Sequence, residues 1–345
     1  MLKLSLSCVN EVFKAISDDK TLYLPIEMDG CLQFNKWAAG NNVRLDRINT
    51  VKSPKDFFFP QTEHLAAFKT KGKEIMINDD RDPVEPFVIF GVRACDAYSL
   101  TLLDRVFLSD PVDTFYEQRR RNGILITMAC FEPEETCFCG VFDIDARVPG
   151  GDVTTYIIND TLYWESRTDK GDELTNKVKS LFTEANQQDE AYLSEKHANA
   201  KNIFNNLPLN NIKLKRFTKE SIMDMFNSPK WEDLYKSCIA CGTCTFICPT
   251  CHCYDIQDYD TGRGIKRFRC WDSCMYSDFT LMAHGNPRQS QLERFRQRYM
   301  HKLMYFPDNN EGLPACSGCG RCIQKCPISM NIIKVIKALG VDENV

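Results

Sequence analysis

The sequence lacks any long apolar run. No uncharged stretch approaches the ~18 residues that a membrane-spanning helix needs, and the first ten residues do not have the pattern of a secretory signal peptide. The 43 Lys and Arg against 47 Asp and Glu give a net charge of −4, without the basic excess that attracts nucleic acid. We therefore expect a cytoplasmic protein that has no membrane span and binds no nucleic acid.

Nucleotide-binding motifs are also missing. The sequence has no P-loop pattern, and its nearest glycine pair, Gly262 and Gly264, has Arg267 where a dinucleotide-binding loop would place its third glycine. A chain without a two-electron cofactor moves electrons one at a time. We therefore expect its electron donor and acceptor to lie on other subunits.

Cysteine is abundant, with eighteen among 345 residues. A disulfide framework of that density is typical of short secreted chains, whereas this length and a 43% hydrophobic composition support one or two ordinary cores. The cysteines are therefore interpreted as metal ligands or buried thiols in a reducing compartment.

Eight cysteines form two copies of the run C-x2-C-x2-C-x3-C-P. The copies are Cys238, Cys241, Cys244 and Cys248 before Pro249, and Cys316, Cys319, Cys322 and Cys326 before Pro327. This run binds paired [4Fe–4S] clusters, and in two-cluster ferredoxins its fourth cysteine ligates the other cluster. We predict that cluster 1 is held by Cys238, Cys241, Cys244 and Cys326, and cluster 2 by Cys316, Cys319, Cys322 and Cys248. Zinc sites are the alternative.

The first half of the chain has the pattern of an α/β domain. The apolar runs 87–90 and 124–128 are typical of strands buried on both faces of a parallel sheet. Residues 153–158 and 161–165 flank an Asn159–Asp160 turn and predict a hairpin. The polar stretch 170–201 predicts helix.

These patterns predict two domains. The first, residues 1–210, is an α/β domain with a mostly parallel sheet. The second, residues 211–345, is an α+β ferredoxin-like domain that binds two [4Fe–4S] clusters and contains a cysteine-bearing insertion at 249–315.

A further group of cysteines follows the predicted strands of the first domain: Cys95, Cys130, Cys137 and Cys139. Because ligands bind beyond the carboxyl ends of parallel strands, these thiols either hold a third cluster or are core thiols at strand ends. Asp96 would replace one thiolate or act through a neighbouring group, and Arg93 would offset the charge of a cube.

The insertion contributes four more cysteines, Cys251, Cys253, Cys270 and Cys274. Three interpretations remain for these cysteines. They are ligands of a further cluster, ligands of a zinc site that draws on His252, or buried thiols packed beside a cube. Cys248–His252 also matches the c-type haem pattern, an interpretation we reject because Cys248 is needed by the first run. Cys8 and Cys31 have no partner spacing.

Two basic stretches have open interpretations. One helix predicted from an apolar stripe carries Arg294, Arg298 and Lys302 off that stripe, which predicts a solvated basic face. The second stretch, Lys266–Arg269, has three possible interpretations: it tunes the potential of a nearby cluster, it forms a docking face for a partner, or it is a solvated basic loop. Residues 331–339 predict a C-terminal helix that ends at Gly340.

Four motifs, taken together, resemble a known family. They are Val92-Arg93-Ala94-Cys95-Asp96, Cys137-Phe138-Cys139, the segment from Cys241 to Cys253, and Trp271-Asp272-Ser273-Cys274-Met275. The chain resembles the family of iron–sulfur subunits found in anaerobic sulfite reductase and, as the beta subunits, in sulfhydrogenases. The resemblance implies an electron relay between a flavin/NAD(P)H-binding subunit and a catalytic subunit of sulfite reductase, sulfur reductase or hydrogenase type. It also implies that the eight cysteines of the runs are ligands.

Two other functions compete with an electron-transfer subunit. One is a catalytic reductase subunit that binds flavin or a small sulfur compound at the Cys95 site. The other is a zinc-stabilised assembly scaffold. Bound flavin absorbance would favour the first, and stoichiometric zinc without sulfide in anaerobic protein would favour the second.

Overall fold

The computed structural model describes residues 1–340, apart from the side chains of residues 70 and 71. Its strands are β1 (Leu2–Ser5), β2 (Thr21–Met28), β3 (Cys31–Lys36), β4 (Thr62–Lys71), β5 (Glu74–Asp79), β6 (Phe87–Val92), β7 (Gly123–Met128), β8 (Val153–Ile158), β9 (Thr161–Ser166), β10 (Thr183–Glu184), β11 (Tyr254–Asp260) and β12 (Ile265–Trp271).

The helices of the described region are mostly short. They are α1 (Val9–Ser17), α2 (Lys55–Phe58), α3 (Ala94–Phe107), α4 (Thr114–Asn122), α5 (Asp169–Val178), α6 (Gln187–Asn205), α7 (Ile222–Phe226), α8 (Trp231–Lys236), α9 (Thr243–Phe246), α10 (Gln291–Met300), α11 (Phe306–Asn309), α12 (Arg321–Gln324) and α13 (Ile332–Gly340). Within residues 1–340, no helix combines the length and the apolar character that crossing a membrane requires.

The larger sheet has eight strands in the order β10-β1-β9-β8-β7-β6-β2-β3. Four adjacent strands, β8, β7, β6 and β2, are parallel to one another, and the remaining pairs are antiparallel. Every residue of β6 and β7 is buried, because α1 and α5 cover one face of the sheet while α2, α3 and α4 cover the other. The predicted α/β class is therefore confirmed, with a parallel centre in a mixed sheet.

The predicted hairpin is also confirmed. β8 and β9 pair in antiparallel register, and Asn159 and Asp160 have φ values of 44° and 55° in the turn between them. The helical character predicted for 170–201 is present in two helices, α5 and α6, and the chain between them forms β10, which pairs with β1 at the sheet edge.

A second sheet joins strands from both halves of the chain, in the order β11-β12-β4-β5. Gly262 and Gly264 form the turn of the β11–β12 hairpin, with φ values of +72° and +147°. The basic stretch 266–269 therefore lies on strand β12, not in a loop. Arg269 is buried there and pairs with Glu63 and Asp113.

The core of the C-terminal half is helical. α8, α10 and α13 pack around Trp231, Phe295 and Val335, and Phe138 from the first half packs against them. α13 confirms the predicted C-terminal helix. The division at residue 210 and the limits of the insertion remain predictions, and residues 341–345 of the predicted second domain lie outside the described region.

Candidate functional site

The two cysteine runs adopt the same local backbone. Before the second cysteine of each run, Ala240 and Gly318 have φ values of 53° and 61°. After it, Gly242 and Gly320 have φ values of 72° and 79° and begin the short helices α9 and α12. Glycine adopts this left-handed conformation without steric cost. The sequence repeat is therefore also a structural repeat.

Around the first run lies an enclosed pocket whose cysteines are Cys238, Cys241, Cys244 and Cys326. Three of these thiols come from the first run, and the fourth comes from the end of the second. The apolar residues Met275, Phe295 and Tyr299 close the pocket. This is the set of side chains predicted for cluster 1.

The second pocket contains the complementary set, Cys248, Cys316, Cys319 and Cys322. Cys244 on α9 lines one pocket and Cys248, four residues further along the chain, lines the other, so they are about one helical turn apart, a rise of about 6 Å. The structure thus brings together each predicted group of four thiols. Their assignment as ligands remains a prediction.

Two cations lie against these thiols, Arg298 on α10 and Lys302 on the π-helical turn His301–Tyr305 that follows it. Arg298 and Lys302 line the second pocket and are only 3% and 4% exposed. Arg298 Nη1 lies 3.6 Å from Cys251 Sγ, and its Nη2 donates to the carbonyl of Cys244 at 2.9 Å. The predicted solvated basic face is therefore wrong for Arg298 and Lys302, because their partners are thiols and carbonyls inside the protein.

Lys302 is held at the end of the first run. Its Nζ donates to Thr250 Oγ1 at 2.7 Å and to the Ala315 carbonyl at 3.0 Å. Burial acts to lower the pKa of this lysine, but the neighbouring Cys248 and Cys251 raise it above its ordinary value. Lys302 is therefore a stable buried positive charge, of the kind that would balance an anionic thiolate-bound cube.

Sequence analysis did not identify a third buried cation beside these thiols. Lys55, from α2 of the first half, is 2% exposed and donates to the carbonyl of Cys251 at 2.9 Å. Its Nζ lies 3.7 Å from the centre of the Trp271 ring. Burial lowers its pKa to about 8. Its position depends on packing between the two halves, for which local sequence gives no signal.

Burial also changes the pKa values of thiols that line the two pockets. It raises the pKa of Cys316 to about 12 and that of Cys322 well above the ordinary value. Cys248 differs from these two buried thiols, because its interaction with Cys251 lowers its pKa despite burial. Metal binding to buried thiols must displace their protons. Four thiols around an enclosed pocket are a donor set that suits a [4Fe–4S] cube.

The cysteines of the first half also come together, although at a different place. Cys95 lies in the first turn of α3 and Cys130 follows β7, and these two pack with Cys139 and Cys319 in one buried cluster. Cys137 is equally buried, and burial raises its pKa and that of Cys139 to about 12. The predicted third group of thiols is thus adjacent to the second pocket.

The loop that carries Cys137 and Cys139 packs directly on the second run. Phe138 N donates to the Gly318 carbonyl at 2.9 Å. A Cβ on Gly318 would lie 2.5 Å from the backbone of Phe138 and Cys139, so only glycine fits there. This contact joins the strand ends of the α/β half to the second pocket.

Arg93 and Asp96 have specific partners beside this group. Arg93 Nη1 donates to the Ala129 carbonyl at 2.9 Å and lies 3.9 Å from Cys130 Sγ. Both carboxylate oxygens of Asp96 accept hydrogen bonds from Arg321. Asp96 is therefore engaged in an ion pair, and Arg93 places its positive charge near Cys130.

The four cysteines of the insertion separate into three locations. Cys253 and Cys274 line the same cavity, whereas the thiol of Cys251 lies 3.6 Å from Arg298 Nη1 beside the second pocket. Cys270 lies on β12 opposite Asp255, and burial together with Asp255 raises its pKa. A metal site made from all four remains a prediction.

A site for a single metal ion and the two remaining cysteines, Cys8 and Cys31, can be described briefly. Within residues 1–340, no three His, Cys, Asp or Glu side chains converge closely enough to hold a single metal ion. Cys8 and Cys31 lie in the first half, where Cys8 is partly exposed and Cys31 is exposed.

Comparison with known proteins identifies the family of the chain. A family model described as a 4Fe-4S dicluster domain matches residues 237–330, which defines the chain as an iron–sulfur protein of the [4Fe–4S] type. Sulfhydrogenase 2 subunit beta of Pyrococcus furiosus is 30% identical over 332 residues, 94% of each chain. The chain therefore belongs to the iron–sulfur subunit family that includes the sulfhydrogenase beta subunits, and the resemblance is confirmed. It is an iron–sulfur electron-transfer protein of oxidoreductase type. No solved structure matches it.

Proposed function

We propose that this chain is the single-electron relay of a cytoplasmic multi-subunit oxidoreductase. It holds two [4Fe–4S] clusters, which supply one-electron redox chemistry when bound. Cys238, Cys241, Cys244 and Cys326 hold the first, and Cys316, Cys319, Cys322 and Cys248 hold the second. The observation that carries the proposal is the crossed composition of the two pockets, each with three thiols of one run and the last thiol of the other.

The thiol groups are arranged in a row through the molecule. The group of Cys95, Cys130, Cys137 and Cys139 lies at the strand ends and touches Cys319 of the second pocket. The second pocket is one helical turn from the first. Such a row suits transfer of electrons between the α/β half and the C-terminal half, with the third group as a further [4Fe–4S] site.

The surface end of this row lies at the first run. Cys241 is exposed, and Ile239 beside it has 60% of its surface exposed. Cys95 and Cys319, in contrast, are each 8% exposed. Electrons therefore leave or enter most directly near Ile239 and Cys241, where a partner subunit has access.

The partners proposed for this chain are a flavin/NAD(P)H-binding subunit and a catalytic subunit of sulfite reductase, sulfur reductase or hydrogenase type. The name of the relative, a sulfhydrogenase subunit, supports membership of a complex. The alternative, a catalytic subunit that binds flavin or a small sulfur compound at the Cys95 site, remains a prediction. Those four thiols are packed at 5–8% exposure, which favours a cube over an open flavin slot.

The deciding experiment is an anaerobic count of iron and acid-labile sulfide with EPR of the dithionite-reduced protein. We expect eight irons per chain for two cubes and twelve if the Cys95 group holds a third. Protein without iron or sulfide would overturn the proposal. Zinc in place of iron would support the scaffold instead, and a flavin absorbance band would support the catalytic alternative.

A further inference from the structure

Thr250 and Lys302 meet where the end of the first cysteine run packs against the start of the second. Lys302 Nζ donates to Thr250 Oγ1 at 2.7 Å and to the Ala315 carbonyl at 3.0 Å. Thr250 Oγ1 in turn lies 3.2 Å from Cys248 Sγ and 2.9 Å from the same carbonyl. All four residues are buried, at 2–8% exposure. A cation, a hydroxyl and a thiol of the second pocket are therefore in direct sequence.

The Thr250 hydroxyl has one proton and two possible acceptors. The Ala315 carbonyl already accepts a hydrogen bond from Lys302, whereas a Cys248 thiolate that ligates a metal has no proton and can only accept. The hydrogen bond that Lys302 donates to Oγ1 polarises the hydroxyl and strengthens the bond that it donates onward. We therefore expect Thr250 to donate to Cys248 Sγ, a step that rests on the proposed function because it requires Cys248 to be a ligand.

A second hydroxyl lines the same pocket. Ser317 follows Cys316 directly, is 2% exposed, and its Oγ has no hydrogen-bond partner among the described residues. A buried hydroxyl without a hydrogen bond destabilises a protein, so such groups almost always have a partner. The sulfur atoms of a bound cluster would supply the acceptor that Ser317 lacks.

The first pocket has a different lining. Among the described residues that line it, none carries a charge, and Met275, Phe295 and Tyr299 form much of its wall. A hydroxyl does reach a thiol there, since Thr243 Oγ1 lies 3.3 Å from Cys241 Sγ. Cys241 is exposed, however, and water screens that contact. The buried cations and buried hydroxyls that face thiols are therefore concentrated at the second pocket.

We propose that Thr250, backed by the charge of Lys302, and Ser317 donate hydrogen bonds to sulfur atoms of the second cluster and make it the stronger electron acceptor of the two. A reduced cube carries one more negative charge than an oxidised cube, so donors directed at its sulfurs stabilise the reduced form. One electron passes from the first cluster, which is oxidised, to the second, which is reduced. No bond is made or broken, and the ammonium and hydroxyl protons stay on their own atoms. An electron that enters near Cys241 is thereby drawn into the interior.

The test is an EPR-monitored redox titration of anaerobically purified protein whose iron and sulfide have been counted. The signal that Cys248→Ala alters identifies the second cluster, and in wild-type protein we expect it to be reduced at the higher potential. Thr250→Val should lower the ratio of reduced to oxidised second cluster about tenfold at a fixed solution potential, which is about 59 mV for a one-electron couple. Ser317→Ala should lower the same ratio.

Two further variants separate hydrogen bonding from packing. Thr250→Ser keeps the hydroxyl and should keep the wild-type potential of the second cluster. Thr245→Val is the matched control, because Thr245 is also 2% exposed but its hydroxyl donates to the Gly242 carbonyl at 2.6 Å. This variant loses a buried hydroxyl that contacts no thiol, so the potential of the second cluster should not change.

Three results would overturn the inference. The first is a wild-type second cluster that is reduced at a lower potential than the first. The second is an unchanged ratio in Thr250→Val or in Ser317→Ala, and if Thr250→Val did not retain the second cluster, Ser317→Ala would decide. The third is an equal fall in Thr250→Ser and Thr250→Val, which would make the effect one of packing. Wild-type protein without iron would instead contradict the proposed relay itself, so the two failures are distinguishable.

Discussion

Arg321 and Asp96 form an ion pair that joins the second cysteine run to the first turn of α3. The guanidinium donates to both carboxylate oxygens at 2.6 and 2.8 Å, and both side chains are 2% exposed. Arg321 also donates to the Thr50 carbonyl at 2.8 Å. Each residue adjoins a cysteine of a different group, Cys322 and Cys95. The pair thus fixes one thiol group against the other.

Replacing Asp96 by Ala should destabilise the protein strongly, because it leaves a buried guanidinium without its counter-charge. Breaking a buried ion pair costs about 3–5 kcal/mol. We expect a clearly lower Tm in anaerobic thermal unfolding. Glu311→Gln is the matched control, since its pair with Arg105 lies at the surface and is worth at most about 1 kcal/mol. Equal Tm values for the two variants would contradict this role of the pair.

The crossed ligand assignment predicts a selective effect of Cys326→Ala. Because Cys326 lies in the pocket of Cys238, Cys241 and Cys244, its removal should alter the EPR signal of cluster 1. Cys248→Ala should alter the signal of cluster 2 in the same way. EPR of the reduced variants at several temperatures separates the two signals. If each variant disturbed the cluster of its own run, the crossing would be wrong.

The third thiol group predicts a stoichiometric loss. Replacing Cys137 and Cys139 together by Ala should lower iron by about four atoms per chain, because a cubane held by the Cys95 group needs both thiols. Iron and sulfide analysis after anaerobic reconstitution measures the loss. The control is Cys8→Ser with Cys31→Ser, two thiols outside every group. Iron that stays constant in the Cys137/Cys139 variant would leave these residues as core thiols.

Arg298 should influence the reduction potential of the neighbouring clusters. Its buried charge lies near Cys244 and Cys251, where it favours the reduced, more negative form of a cube. Arg298→Gln should therefore lower the midpoint potential, by about 60 mV if the lost interaction is on the order of 1.4 kcal/mol. An EPR-monitored redox titration measures the shift. Arg294→Gln, one turn earlier on α10, is the control and should change the potential less.

Local sequence predicted the elements whose signals are local. The hairpin around Asn159 and Asp160, the buried strands β6 and β7, and α13 each have their own turn or apolar pattern. The crossed grouping of the cysteines also followed from spacing. The sheet that pairs β4 with β12 and the buried position of Lys55 could not be predicted this way, because both arise from contacts between distant segments. The burial of Arg298 and Lys302 was not predicted. The periodic spacing of apolar residues shows which face of a helix is hydrophobic, but it does not show that cations on another face are attracted to thiols from distant segments.

The last prediction concerns the backbone of the second run. Gly320 has a φ of +79°, and a Cβ there would lie 2.7 Å from the Thr136 carbonyl oxygen. Gly320→Ala must therefore both strain the backbone and displace the loop that carries Cys137 and Cys139, which should reduce the iron content and the Tm together. Gly262→Ala is a matched control, since Gly262 has a similar φ of +72° but nothing within 4 Å of its added Cβ. It isolates the conformational cost, about 1 kcal/mol or somewhat more. If both variants retained the same iron and the same Tm, close packing between the second run and the α/β half would not contribute to cluster binding.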